Sequence, residues 1–231
     1  MSRHIGYLFI APAFVILFFT SIYPVAFSFY FSFFDWNWGN QENFIGLDNY
    51  LFLLTDPEFW TVIYNTFVFA SVSCFLEVTI GIILAIFVDR IVFCSTIIRT
   101  ILILPLMVSG IIVSMISKIM FNNLFGVIPY GLKQIDIRSS FFGSTEAAMP
   151  TLIGVDVWWQ TSFVFIIILA ALQGIPNDTV EAAKIDGASE WDITRFIRLP
   201  LIKPIIFLVI IFRSIDTCLL YTSDAADDLR C

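Results

Sequence analysis

The chain has 231 residues, of which 59% are hydrophobic and 13% are charged, and its formal net charge is −7 at pH 7. A soluble domain carries about 25% charged residues, so this composition indicates an integral membrane protein. The chain has no basic stripe with interleaved aromatic residues, which argues against nucleic-acid binding. Its four cysteines have neither paired nor metal-ligand spacing, so we predict no disulfide framework and no metal site: Cys74, Cys94, Cys218 and Cys231.

Apolar stretches divide the chain into candidate membrane spans. The first, residues 5–34, lacks Asp, Glu, Lys and Arg and exceeds the ~20 residues that one span requires. A signal peptide is the alternative, but its apolar region is only about 7–15 residues long, which favours an anchored helix. A polar, acidic segment follows at residues 35–60, and further spans are predicted at residues 61–88, 100–121, 151–173 and from 204 onward. The predicted fold is therefore an all-α, polytopic transmembrane helical bundle.

Positive charges predict how these spans are oriented. If the spans alternate, most basic residues fall on one side of the membrane: Arg3, Arg90, Arg99, Lys184, Arg195, Arg198 and Lys203. Lys133 and Arg138 fall on the other side. Because cytoplasmic loops carry an excess of Lys and Arg, the N-terminus and the loop at residues 175–204 are predicted to be cytoplasmic.

That loop, residues 175–204, is polar and rich in charge and lies between two apolar stretches. Pro176, Asn177 and Asp178 indicate the start of a helix, where an Asn177 or Asp178 side chain would accept hydrogen bonds from the first N–H groups. The alanines that follow would permit a partner to approach closely, and Gly187 would permit a sharp change of direction. The amphipathicity of the loop alone favours a helix that rests on lipid headgroups.

The spacing within the loop is more specific. Its EAA-x3-G-x9-I-x-LP pattern resembles the cytoplasmic coupling loop of ABC-importer membrane subunits. Other stretches resemble the carbohydrate-type permeases that are related to maltose and glycerol-3-phosphate transporters: residues 44–50, 56–60, 104–105, 185–188 and 212–216. The similarity covers about residues 5–217, and the coupling loop is its most specific part.

The resemblance implies a multi-pass permease of a bacterial or archaeal inner membrane, with about five of an expected six spans present. The chain would form half of a translocation path for a sugar or sugar-derived solute and would itself catalyse nothing. Its partners would be a second permease subunit, two ATP-binding cassette subunits that hold ATP and Mg, and an extracytoplasmic solute-binding protein. No cofactor is expected on this chain. The residues that the resemblance places against the ATPase are Glu181, Ala182, Ala183, Asp186, Gly187, Ile197, Leu199 and Pro200.

A second group of residues has candidate roles in the solute path. Glu77 lies mid-span, where a lipid-facing charge costs at least ~2.5 kcal/mol, so it faces either the path or a neighbouring helix. Asp156 and Trp159 together suit sugar hydroxyls and ring stacking, although tryptophans also anchor helices at membrane interfaces. Arg213 and Asp216, three positions apart on one helix, form either a structural ion pair or a solute contact.

Two further expectations concern the chain's end and its class. Residues 1–217 are predicted to be the permease domain, whereas residues 218–231 resemble a translated sequencing adapter and are predicted to be a scar that truncates the fifth span. The alternative function is an ion-coupled secondary transporter, in which Glu77, Asp156 and Asp216 would serve as ion or proton sites. An intramembrane enzyme is disfavoured because no nucleophile has a plausible histidine partner.

Overall fold

The computed structural model of the protein describes residues 3–36, 43–91, 95–134, 141–142 and 144–228. The predictions that concern Cys94, Arg138 and residues 229–231 lie outside these ranges. Within them the chain is almost entirely helical and has one two-stranded antiparallel sheet. The prediction of an all-α helical protein is therefore confirmed. The chain divides into two compact units, Met1–Ile63 and Tyr64–Cys231.

The first unit consists largely of one apolar helical stretch. Residues Phe9–Phe31 are long and apolar enough to cross a membrane, and none of this stretch is buried inside the chain. Pro24 has no N–H to donate, and the helix widens into a π-helical turn just before it. The described elements of this unit are α1 (Arg3–Leu17), the π-helical turn (Phe18–Ile22), α2 (Tyr23–Phe31), β1 (Phe34–Asp35), β2 (Asn43–Phe44) and α3 (Asp48–Thr55).

The second unit contains the packed core. Helix α4 starts at Pro57, before the second unit begins at Tyr64, and most of the helix belongs to the second unit. The remaining described elements are α4 (Pro57–Arg90), α5 (Ser95–Ile103), a 3₁₀ turn (Leu104–Met107), α6 (Gly110–Met120), α7 (Val127–Lys133), α8 (Thr145–Gln173), α9 (Asn177–Ile185), α10 (Glu190–Asp192), a π-helical segment (Ile193–Arg198) and α11 (Leu199–Asp228).

The core of this unit lies among α4, α8 and α11. Val164 and Phe165 from α8, Ala85 from α4 and Val209 from α11 are buried in one apolar cluster. Gly81 lets α4 and α8 approach closely, because a Cβ atom there would lie 2.6 Å from Val164 Cγ1. These three helices therefore form the rigid part of the unit on which the candidate sites are built.

Length and composition support fewer spans than the five predicted. Among the described helices, three are long and apolar enough to cross a membrane, or up to four if one bent pair counts as a single span. The bent pair corresponds to the predicted third span. The predicted fifth span lies in α11, which also carries Lys203, Arg213 and Asp216. Helix α11 continues to Asp228, and the proposed scar at residues 218–231 stays a prediction.

The third span, predicted at residues 100–121, is not one straight helix. It is bent by 91° between Ser95–Met107 and Gly110–Met120. Pro105 lies in the 3₁₀ turn before the bend, and Val108 is extended. The Trp159 indole N–H donates to the freed Val108 carbonyl oxygen at 3.1 Å. Gly110 lies against the same indole, where a Cβ atom would be 2.9 Å from Trp159 Cη2.

Candidate coupling loop and buried ionic cluster

The loop at residues 175–204 contains the short helix α9 and, after a sharp turn, a second helical segment that continues without a break into α11. Gly187 has φ +85°, a left-handed conformation that glycine adopts without strain, so it changes the chain direction as predicted. The predicted side-chain cap at Asn177 or Asp178 is wrong, because α9 starts after Pro176 without one. A capping box forms at the second segment instead, where Ser189 and Asp192 exchange side-chain and backbone hydrogen bonds.

The predicted ATPase-facing residues lie mainly on the surface of this loop. On α9, the small Ala182 side chain is exposed, and Ala183 beside it is half-buried. In the second segment Ile197 and Leu199 are half-buried. The exposed members of the set are Glu181, Ala182, Asp186, Gly187 and Pro200. The surface of α9 around Ala182 is therefore accessible to a partner.

An exposed ion pair connects the two segments of the loop. Lys184 Nζ lies 2.8 Å from Glu190 Oε1. The Lys184 side chain, which donates a hydrogen bond to this carboxylate, holds the pKa of Glu190 below its usual value. Because both side chains are about half exposed, solvent screens the pair and its contribution to stability is small.

The loop also contacts the end of α4, which the sequence did not predict. Arg90 Nη2 donates to Thr194 Oγ1 at 2.6 Å and to the Glu190 carbonyl oxygen at 3.2 Å. Arg198 Nη1 lies 3.1 Å from Asp89 Oδ2, and both side chains are about 15% exposed. In the sequence, Asp89 and Arg90 read only as part of a basic turn. A signal for these contacts is nevertheless present in the sequence. Asp89 and Arg90 are adjacent opposite charges at the end of a predicted span, and the next loop predicted on the same side of the membrane also carries charges of both signs.

The charged residues predicted for the solute path meet in one buried cluster. Arg213 on α11 donates to both Glu77 carboxylate oxygens, from Nε at 2.6 Å and from Nη2 at 3.0 Å. Nη2 also donates to Asp156 Oδ2 at 3.3 Å, and Nη1 donates to Asp216 Oδ2. Glu77, Arg213 and Asp156 are 0%, 2% and 6% exposed, whereas the Asp216 side chain is 58% exposed. One arginine thus joins carboxylates from α4, α8 and α11.

A small cavity adjoins this cluster. Its volume is about 240 Å³, and its lining residues are Gln160, Phe163, Phe212, Arg213 and Asp216. Trp159 is not among them, and its indole N–H is bonded to the Val108 carbonyl. Aromatic faces beside amide and carboxylate groups can stack on a sugar ring and bond its hydroxyls. Gln160, Phe163 and Phe212 had no distinguishing signal in the sequence, because they sit within apolar spans.

A comparison with protein families identifies the chain. The family of binding-protein-dependent transport system inner membrane components matches residues 77–222. The chain belongs to this family. It is therefore an inner-membrane component of a transport system and not an enzyme. The resemblance to carbohydrate-type ABC-importer permeases that the sequence indicated is confirmed.

The relatives of this chain include sugar transport permeases. A probable starch degradation products transport system permease protein of Thermoanaerobacterium thermosulfurigenes is 36% identical over 198 residues, which are 86% of this chain and 68% of that protein. The trehalose/maltose transport system permease protein of Thermococcus litoralis is 33% identical over 214 residues, 92% of this chain and 72% of that protein.

Solved structures of the family share the fold. A bacterial ABC transporter involved in the import of the acidic polysaccharide alginate matches with a TM-score of 0.78 and 27% identity, over 90% of this chain and 71% of that chain. The alginate transporter in complex with its alginate pentasaccharide-bound periplasmic protein matches with a TM-score of 0.79 and 25% identity, over 90% and 70% of the two chains. None of these relatives supports the alternative of an ion-coupled transporter.

Proposed function

We propose that this family member forms half of the translocation path of an ATP-driven importer for a sugar or sugar-derived solute. The observation that carries the proposal is the exposed surface of α9 around Ala182, followed by the left-handed turn at Gly187 and by a segment that is bonded to the end of α4. An exposed alanine lets a rigid partner dock closely. The contacts with α4 prevent the loop from deforming when that partner pushes on it. The family to which the chain belongs and the names of its relatives support the same function.

The assembly would contain four kinds of subunit. A second permease would complete the path, two ATP-binding cassette subunits would hold ATP and Mg, and an extracytoplasmic binding protein would deliver the solute. One solved relative is itself in complex with a periplasmic protein. The ATPase would contact residues 181–200, namely Glu181, Ala182, Ala183, Asp186, Gly187, Ile197, Leu199 and Pro200. The N-terminus and this loop would lie in the cytoplasm, on the side with the excess of basic residues, with about five spans in residues 1–217.

The buried cluster would contribute to the solute path. Glu77 and Asp156 hold the Arg213 guanidinium from the buried side, so the polar groups that can bond solute hydroxyls in the cavity are Gln160 and the exposed Asp216, which also bonds Arg213. Trp159 would act indirectly, by fixing the bend of the third span. Three carboxyl groups surround one arginine, so the cluster is not positive even when one carboxyl carries a proton. This charge balance favours an uncharged sugar over a phosphorylated one.

Bulk on the docking surface tests the coupling function. Ala182 is exposed, so Ala182→Trp leaves the chain's own packing intact while blocking close approach of a partner. We expect this variant to lose co-purification with the ATPase, and to lose ATP-driven uptake of labelled maltose or trehalose into proteoliposomes. Ala182→Ser, which keeps the residue small, is the matched control and should behave as the wild type. Uptake that follows an ion gradient in the absence of ATP would instead support the ion-coupled alternative.

A further inference from the structure

The end of α4 holds the coupling loop through two separate contacts. The first is made by Arg90, whose guanidinium reaches the Thr194 hydroxyl and the Glu190 carbonyl oxygen. Thr194 is buried and donates in turn to the same Glu190 carbonyl at 2.8 Å. The second contact is the largely buried ion pair of Asp89 with Arg198. We call these four side chains, Asp89, Arg90, Thr194 and Arg198, the loop clamp.

The clamp connects the loop to a third helix, α4, besides α8 and α11, which flank the loop in sequence. Residues 175–204 connect α8 directly to α11, so covalent continuity already transmits any loop movement to those helices. Helix α4 is remote in the chain, since Arg90 contacts residues that are 100 and 104 positions away, and it reaches the loop through its side chains. Contacts at both Asp89 and Arg90 fix the position and also the rotation of its last turn, which a single contact leaves free.

The same helix carries Glu77 of the buried cluster. Glu77 precedes Asp89 by 12 residues, a separation of about 18 Å along a helix axis at 1.5 Å per residue. Helix α4 is therefore held to α11 at Arg213 and to the coupling loop at the clamp. A continuous helix fixed at two levels moves as a rod, since its backbone hydrogen bonds resist bending between the two points.

We propose that Asp89, Arg90 and Arg198 are positioning residues that make α4 move together with the coupling loop when the ATPase acts. This inference rests on the proposed function, because it requires the loop to be the ATPase contact. None of these side chains touches the solute cavity. Their role is to carry the displacement of α9 to the helix that holds Glu77.

The distance between the loop and α4 tests the proposal directly. Nitroxide labels at Asp178 on α9 and Phe87 on α4, both exposed, report this distance by double electron–electron resonance in a background with the native cysteines replaced by serine. The sample is the complete transporter in nanodiscs, with and without Mg-ATP. In the wild type we expect the distance to stay constant within about 2 Å, the scale of small helix shifts, in both states.

Charge exchange separates a specific role from simple destabilisation. Asp89→Arg and Arg198→Asp should each make the distance distribution broad and nucleotide-dependent, while the ATPase still co-purifies and hydrolyses ATP. The double exchange Asp89→Arg/Arg198→Asp should restore a narrow, constant distance. Arg90→Lys, which keeps the charge, should give a distribution of intermediate width. Arg195→Ala is the control, because it removes an exposed positive charge from the same π-helical segment without contact to α4.

The outcomes are decisive in each direction. A wild-type distance that changes by several ångströms with nucleotide shows that the loop moves independently of α4 and overturns the proposal. Single variants with wild-type distances, or a double exchange without rescue, overturn it equally. Failure of the ATPase to co-purify with the wild-type permease is a different result, because it refutes the proposed function itself.

Discussion

Removal of Arg213 is the most severe single change that the buried cluster predicts. Its guanidinium is the cation shared by Glu77, Asp156 and Asp216, and its side chain is only 2% exposed. Loss of one partner from a buried ion pair costs about 3–5 kcal/mol, because the remaining charge is left without compensation. For a chain of this size that corresponds to a fall in melting temperature of roughly 6–20 °C.

Glu77 and Arg213 are not equivalent partners in their ion pair, which makes the prediction specific. Glu77→Gln removes one carboxylate, and Arg213 then still bonds Asp156 and Asp216. Arg213→Gln instead leaves three carboxylates without a cation, two of them buried. We therefore expect Arg213→Gln to destabilise the permease clearly more than Glu77→Gln. The double variant should recover part of the loss, because it removes one of the uncompensated carboxylates.

Thermal unfolding of the purified permease in detergent, followed by near-ultraviolet circular dichroism, measures these differences. Arg213→Lys is an informative intermediate, since lysine keeps the charge but lacks the planar fork that bonds both Glu77 oxygens. Equal losses for Glu77→Gln and Arg213→Gln would refute the reasoning. So would a double variant whose loss is the sum of the single losses, because contacting charges must couple.

Two further changes test the packing of α8. Trp159→Phe leaves the Val108 carbonyl without its indole donor, so we expect a loss of about 1–3 kcal/mol in the same melting assay, whereas the exposed Trp158→Phe should have no effect. Gly81→Ala places a Cβ atom 2.6 Å from Val164 Cγ1 and should cost about 1–3 kcal/mol through overpacking. Val164→Ala combined with Gly81→Ala should recover most of that loss, and independent, additive losses would show that the two helices do not touch there.

Local chemistry in the sequence predicts the path of the coupling loop well. Gly187 takes the left-handed conformation expected of it, and α9 begins directly after Pro176. A second helical segment follows the turn and starts with a capping box at Ser189. The cap predicted at Asn177 or Asp178 fails because Pro176 occupies the N-cap position, so both residues already lie within the first turn of the helix.

Contacts between distant helices are what the sequence does not reveal. Glu77 and Arg213 are 136 residues apart, and hydropathy indicates only that each is unusual within a span. The bend at Val108 depends on Trp159, 51 residues away, so a hydropathy window reads the third span as straight. The contact of Arg198 with α4 is not predictable for the same reason. Hydropathy describes each stretch of sequence separately, whereas the ends of different helices come together only in the folded bundle.

The position of Glu77 also has a consequence for how the protein is made. A ribosome adds roughly 5–20 residues per second, so Arg213 emerges about 7–27 s after Glu77, which precedes it by 136 positions. During that interval the Glu77 carboxyl group in the nascent second span lacks its partner, the Arg213 guanidinium. The emerging helix is thus incomplete as a membrane segment until α11 arrives. Biogenesis must keep the early helices close to water or to the insertion machinery, and arrival of the arginine is the event that lets the bundle close.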